Sequence, residues 1–173
     1  MAVHALILGG ARSGKSTFAE KMAAELGGAR VLYVATADVS GDEDLARRVR
    51  KHKERRPATW GTVEAGEELS AALGGAGEWG AVLVDSLTLW VSARMISGED
   101  EPETLCIFDR FLDKADSLKS AVILVSDEVG LGVVPESAAG RRFRDLLGLV
   151  NQRAAAAVAE VHLCVAGLGV RIK

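Results

Sequence analysis

Residues 9–16 read GGARSGKS and follow directly on the apolar run Ala5-Leu6-Ile7-Leu8. The stretch fits G-x-x-x-x-G-K-[ST], the loop that cradles phosphate oxygens, and its surroundings are those such a loop needs. A short buried strand over about residues 4–8 leads into it. An amphipathic helix over Thr17–Leu26 leads out and stops at Gly27-Gly28. In this reading Gly9, Gly10, Ala11, Arg12, Ser13 and Gly14 bring backbone N–H groups onto the phosphates, helped by the positive end of the helix. Lys15 reaches the β- and γ-phosphates, and Ser16 offers its hydroxyl to Mg²⁺. The plain alternative is a glycine-rich strand-to-helix turn. Motif and context together favour a nucleoside triphosphate site.

Working outward, short apolar runs recur at Val31–Ala35, Ala81–Val84 and Ala121–Val125, with a weaker one at Val161–Ala166. Runs of this length without polar alternation suit parallel strands covered on both faces. Helical stretches are expected at about 42–55, 67–73, 86–97, 103–117 and 138–158. Strands alternating with helices predict an α/β domain with a mainly parallel sheet flanked by helices and right-handed crossovers. Gly98–Glu103 and Gly74–Gly77 read as solvated loops, and Ala154–Ala159 as a buried helix face. No repeat or boundary divides residues 1–173, so a single domain is expected.

Composition narrows the function classes. A chain of 173 residues that is 49% hydrophobic can bury a sizeable core. The net charge of −3, with no basic tail, argues against nucleic acid as the main partner. No run approaches the roughly 20 apolar residues of a membrane span. No leader segment precedes the first strand, so a soluble protein is expected. Cys106 and Cys164 lack C-x-x-C spacing and read as two free thiols in a reducing, cytoplasmic setting.

A triphosphate loop names a ligand, not a reaction, so the carboxylates at strand ends matter next. Asp85 ends the Ala81–Val84 run, where it would hold Mg²⁺ through its water shell; it would equally serve as the cap of a helix starting at Leu87. Asp127 and Glu128 end another strand and would orient an acceptor hydroxyl or belong to a loop cap. His52 lies among Arg47, Arg48, Arg50, Lys51, Lys53, Arg55 and Arg56, before Pro57. By composition alone this is a solvated basic face. Chemically, the same cations favour a neutral imidazole able to attack an α-phosphate. His4 and His162 read as core or strand-end residues, and Trp60, Trp79 and Trp90 as packing residues, with Trp60 left open because it follows the basic segment.

Taken together the motifs resemble one family. The P-loop is followed by Tyr33-Val34-Ala35-Thr36, by His52-Lys53-Glu54-Arg55-Arg56-Pro57 with Trp60 and Glu64, and by Val84-Asp85-Ser86-Leu87-Thr88-Leu89-Trp90. Then come Ser126–Glu136 (SDEVGLGVVPE), Phe143–Arg153 (FRDLLGLVNQR) and Gly167–Lys173 (GLGVRIK). Over nearly the whole chain this is similar to the bifunctional adenosylcobinamide kinase/adenosylcobinamide-phosphate guanylyltransferases of cobalamin biosynthesis. The resemblance implies a P-loop NTPase sheet of the RecA type and assembly as a homotrimer. It implies phosphorylation of adenosylcobinamide with ATP or GTP, then transfer of GMP from GTP through a guanylylated histidine to give adenosylcobinamide-GDP. That histidine falls on His52, and Lys15 shares the catalytic role. Nucleotide contacts fall on Gly9 to Ser16, on Ala35, Thr36 and Ala37, on Lys53, Glu54, Arg55 and Arg56, on Glu64 and on Asp85, with Ser16 and Asp85 at Mg²⁺. Ser86 stands where relatives often carry cysteine. A P-loop kinase of another small alcohol and a nucleotide-dependent switch acting through a partner protein are the competing expectations.

Overall fold

The computed structural model describes residues 3–36, 43, 47, 50, 53, 56–65 and 68–173. The strands are β1 (Val3–Gly9), β2 (Val31–Ala35), β3 (Gly61–Glu64), β4 (Ala81–Asp85), β5 (Ala121–Asp127), β6 (Glu160–Val165) and β7 (Leu168–Arg171). The helices are α1 (Lys15–Gly27), α2 (Leu69–Ala72), α3 (Leu87–Ile96), α4 (Glu101–Asp116) and α5 (Ala138–Ala157), with a 3₁₀ turn at Ala76–Glu78. The seven strands form one sheet in the order β3-β2-β4-β5-β1-β6-β7. All neighbours run parallel except β6 and β7, which pair antiparallel. No helix of the described residues is long and apolar enough to cross a membrane.

The apolar runs that mark the strands divide by parity between two cores, as a pleated backbone requires. Ala5, Ile7, Val31, Tyr33, Ala81, Leu83, Ile123 and Val125 face α1, where they meet Ala19 and Ala23. Leu6, Leu8, Leu32, Val34, Val82, Val84, Val122 and Leu124 face the other way, into a larger core with α2 to α5. Small residues on the α1 side let that helix lie close. A Cβ on Gly27 would come within 2.9 Å of Ala81. The large aromatics sit on the opposite side, where Trp90 of α3 meets Phe108 of α4, and Phe108 stacks on Phe111.

Four elements differ from what the sequence suggests. β3 and β7 were not expected; both are short, outer strands whose residues alternate between half-buried and exposed or lie mostly exposed, so neither shows a continuous apolar run. Gly98–Glu103 is not all solvated loop. Asp100 caps α4 by accepting from Glu103 N–H at 2.9 Å, Pro102 sits in the first turn, and Glu99 pairs with the buried Arg94. Ala76, in the other expected loop, is fully buried, and Ser120 Oγ donates to its carbonyl at 2.7 Å.

The other expected strands, and the expected helices outside 42–55, hold to within a residue or two at the ends. The buried helix face expected at Ala154–Ala159 holds only in part: Ala154 is fully buried, Ala156 and Ala159 are exposed, and α5 ends at Ala157 because the chain turns there into β6. Cys106 and Cys164 are free. Within the expected 42–55 helix, Glu43, Arg47, Arg50 and Lys53 are helical and exposed; the other residues of that segment, His52 among them, lie outside the described set.

Candidate active site

β1 delivers the chain into the phosphate loop, and the loop owes its shape to glycine at two positions. Gly14 takes φ of +90°, and a Cβ there would also press to 3.0 Å from Gly167 Cα. Gly9 leaves no room for a side chain beneath Ser13 and the Cys164 carbonyl, which a Cβ would approach to 2.8 Å. Ser13 N–H donates to the Gly10 carbonyl at 3.2 Å, and Gly167 N–H donates to the Ser13 carbonyl at 2.9 Å. The β6–β7 turn therefore braces the loop from outside. Gly169 adds to the brace by admitting the Phe18 ring, which also lies 5.2 Å from His162. Nothing in the sequence marks this contact except the glycines of the closing segment.

Helix α1 begins at Lys15 with no side-chain cap and no acidic residue in its first turn. Its amides thus present the positive end of the helix to an incoming anion. Ser13 Oγ is buried without a hydrogen-bond partner among the described residues, an orphaned donor in the loop itself. Lys15 Nζ forms an ion pair with Asp127 Oδ1 at 2.5 Å and donates to the Gly10 carbonyl at 3.2 Å. The lysine is thereby held over the loop by a carboxylate that a triphosphate must displace.

Sheet order decides which carboxylates flank this loop. β5 lies between β1 and β4, with Gly9 in register with Asp127 and Asp85 in register with Val125. The neighbouring strand end is Asp127, and Asp85 stands one strand further out. Asp85 is not the cap of α3: Ser86 caps it, its Oγ accepting from Leu89 N–H at 3.4 Å. That leaves Asp85 at the sheet edge, where Tyr33 Oη donates to Oδ2 at 3.0 Å. Burial, and then the Asp85 charge, push the Tyr33 phenol far up, so it stays a donor. Arg56 lies over the Tyr33 ring, 3.6 Å from its centroid.

Thr36 works as a clamp. Its Oγ1 donates to the Ser86 carbonyl at 2.7 Å and accepts from Ser86 N–H at 2.8 Å, fixing the turn after Asp85. Ala35 and Glu64 end adjacent strands in register at the same edge. Trp60 packs, half-buried, against the α1-side core. Lys53 is helical and exposed, whereas Ala37, His52, Glu54 and Arg55 lie outside the described residues. The described candidates of β1, β2, β3 and β4 thus converge on the carboxyl edge of one sheet, where open α/β sheets bind ligands.

No group of three or more metal-ligating side chains occurs among the described residues. Ser16 with Asp85 is a hydroxyl and a carboxylate, a donor pair that suits Mg²⁺, which takes few protein ligands beside phosphate.

A model of the family described as cobinamide kinase / cobinamide phosphate guanyltransferase matches residues 5–172. The chain belongs to this family. It is 44% identical to the bifunctional adenosylcobalamin biosynthesis protein CobP of Pseudomonas aeruginosa, over 97% of this chain and 96% of that one. It is 39% identical to the bifunctional adenosylcobalamin biosynthesis protein CobU of Salmonella typhimurium, over 97% and 98%. Among solved structures it resembles a prototypical ATPase from the type III secretion system of pathogenic bacteria. There the TM-score is 0.53 at 12% identity, over 99% of this chain and 57% of that one, a likeness of fold alone. The fold is that of P-loop NTPases, and the chain is an enzyme of the kinase and guanyltransferase class acting in adenosylcobalamin biosynthesis.

Asp127 pairs with Lys15, so Asp127→Asn, which releases the lysine for phosphate, is expected to tighten Mg²⁺-free GTP binding about two- to fivefold, the size of a pair that still sees solvent. Titration with a fluorescent GTP analogue measures it. Weaker binding in the variant would show that Asp127 serves the nucleotide-bound state instead.

Proposed function

We propose that the two activities of the family share the carboxyl edge of this sheet and run in sequence. In the first, the hydroxyl of the adenosylcobinamide side arm attacks the γ-phosphorus of ATP or GTP. The new O–P bond forms as the bond to the β-phosphate oxygen breaks, the hydroxyl proton passes to water, and the nucleoside diphosphate leaves. Lys15 and the amides of Gly9 to Ser16 stabilise the charge on the transferring phosphoryl. Mg²⁺, held by Ser16 and Asp85, would neutralise charge on the phosphate oxygens. Tyr33 keeps the Asp85 carboxylate in place by its hydrogen bond.

In the second, the neutral imidazole of His52 attacks the α-phosphorus of GTP and pyrophosphate departs. An oxygen of adenosylcobinamide phosphate then attacks the same phosphorus, the N–P bond breaks, and His52 is released with adenosylcobinamide-GDP. Lys53, Arg55 and Arg56 are the cations that favour an unprotonated imidazole and neutralise the leaving pyrophosphate. Ala35, Thr36, Ala37, Glu54 and Glu64 complete the nucleotide contacts. One domain over residues 1–173, a homotrimer and a cytoplasmic location belong to the same reading.

The observation that carries it is the meeting of an uncapped α1 N-terminus, Lys15, Asp85 and Asp127 at one sheet edge, in a chain that the family spans over residues 5–172. Incubation with α-³²P-GTP and Mg²⁺ is expected to leave a base-stable, acid-labile label on the wild-type protein and none on His52→Ala. His52→Ala is also expected to retain most of the phosphorylation of cobinamide. A label of equal strength on the variant would remove His52 from the mechanism.

A further inference from the structure

Tyr33 is the only tyrosine of the chain, and it is 5% exposed inside the core that faces α1. A phenylalanine would fill that volume without burying a hydroxyl, so the phenol needs a partner that offsets its desolvation. Tyr33 belongs to none of the nucleotide contacts that the family resemblance implies.

The strand register decides what the side chain meets. Tyr33 lies beside Leu83, and Ala35 beside Asp85. Leu83 and Asp85 are two residues apart on β4, so both share the sheet face on which Tyr33 packs. The phenol reaches one pair further along the strands, and its Oη donates to Asp85 Oδ2 at 3.0 Å.

The ring is engaged separately, by the end of the basic segment. Arg56 N–H donates to the Lys53 carbonyl at 3.3 Å, and Trp60 N–H donates to the Pro57 carbonyl at 3.0 Å. Trp60 packs against the same core as Tyr33. These two turns bring Arg56 over the ring, its guanidinium carbon 3.6 Å from the centroid. A cation over the electron-rich face is attracted to it, and it polarises the phenol into a stronger donor. Guanidinium, ring, hydroxyl and carboxylate thus form one chain of contacts from Arg56 to Asp85, with Tyr33 in the middle.

We propose that Tyr33 is a positioning residue for both reactions: its hydroxyl sets the Asp85 carboxylate for phosphoryl transfer, and its ring face seats the Arg56 guanidinium for guanylyl transfer. The inference rests on the roles given above to Asp85 and Arg56, and Tyr33 acts through those two groups. Because the two contacts use different parts of one side chain, each can be removed without the other.

Tyr33→Phe keeps the ring and loses the hydroxyl, whereas Tyr33→Leu loses both. Each is assayed for phosphorylation of cobinamide over a range of Mg²⁺ and for labelling by α-³²P-GTP at saturating Mg²⁺. Tyr33→Phe is expected to raise the Mg²⁺ needed for half-maximal phosphorylation about tenfold, the size of a lost hydrogen bond to a charged group, with labelling within about twofold of wild type. Tyr33→Leu is expected to add a loss of about three- to tenfold in labelling, the size of a cation–π contact. Wild-type Mg²⁺ dependence in Tyr33→Phe, or equal labelling by the two variants, would overturn the proposal while leaving both reactions standing. A purely structural tyrosine gives that result, with only a lower unfolding midpoint. If Tyr33→Leu fails to fold, protein carrying ¹³Cζ-tyrosine decides, since it has a single tyrosine resonance. Without nucleotide or Mg²⁺, that resonance is expected to shift in Asp85→Asn and in Arg56→Gln, and an unmoved resonance in either would overturn the proposal. Wild-type protein that binds GTP yet neither phosphorylates cobinamide nor takes the label would overturn the proposal and the reading beneath it together.

Discussion

Lys15→Ala is expected to lower both the phosphorylation of cobinamide and the labelling by α-³²P-GTP by about 10²- to 10³-fold, the loss seen when one preorganised donor to developing charge is removed. Both reactions begin with a triphosphate on the same loop. Lys15 is the cation held directly above it, through Gly10 and Asp127. The loop itself should survive, because Gly14, Ser13 and the Gly167 brace are backbone features. Lys15→Ala should therefore keep the wild-type unfolding midpoint and still bind GTP, more weakly. Steady-state kinetics on cobinamide with ATP and with GTP, beside the labelling assay, would check it. If one activity fell and the other did not, the two reactions would use separate triphosphate sites.

The second large effect is on stability. Phe108→Ala is expected to cost about 3–5 kcal/mol, the transfer term plus the cavity left by an aromatic ring. Phe108 is fully buried, its ring centroid 5.6 Å from that of Trp90 and 5.8 Å from that of Phe111. Neighbours from two different helices cannot both close in on the gap. Against a total of roughly 5–15 kcal/mol for a domain, such a loss removes a large share. Urea unfolding should show a clearly lower midpoint with an unchanged m-value. Since α4 contributes none of the candidate nucleotide contacts, protein still folded at low temperature should bind GTP normally. An unchanged midpoint would mean that this aromatic cluster contributes little to the core.

Legibility in the sequence followed the range of the interactions involved. β1, β2, β4 and β5 were evident because each is buried on both faces and so appears as an unbroken apolar run. β3 and β7 stayed hidden because an outer strand needs no such run; pairing with β2 and β6, not composition, makes them strands. The acidic stretch before α4 looked like loop because its charges are conspicuous, yet Asp100 and Glu103 stand in the spacing of a helix cap.

The sequence alone determined the phosphate loop, the alternation of strand and helix, and the family, since each depends on residues adjacent in the chain or on motif order. Asp85 and Asp127 were both visible as strand-end carboxylates. Only the tertiary structure decided that β5 lies next to β1, so that Asp127 takes Lys15 while Asp85 is held by Tyr33. It alone brought Gly167 against Gly14, and Asn151 beside Asp127. Strand order and helix docking are set by how two buried faces fill together, and no local stretch of residues carries that sum.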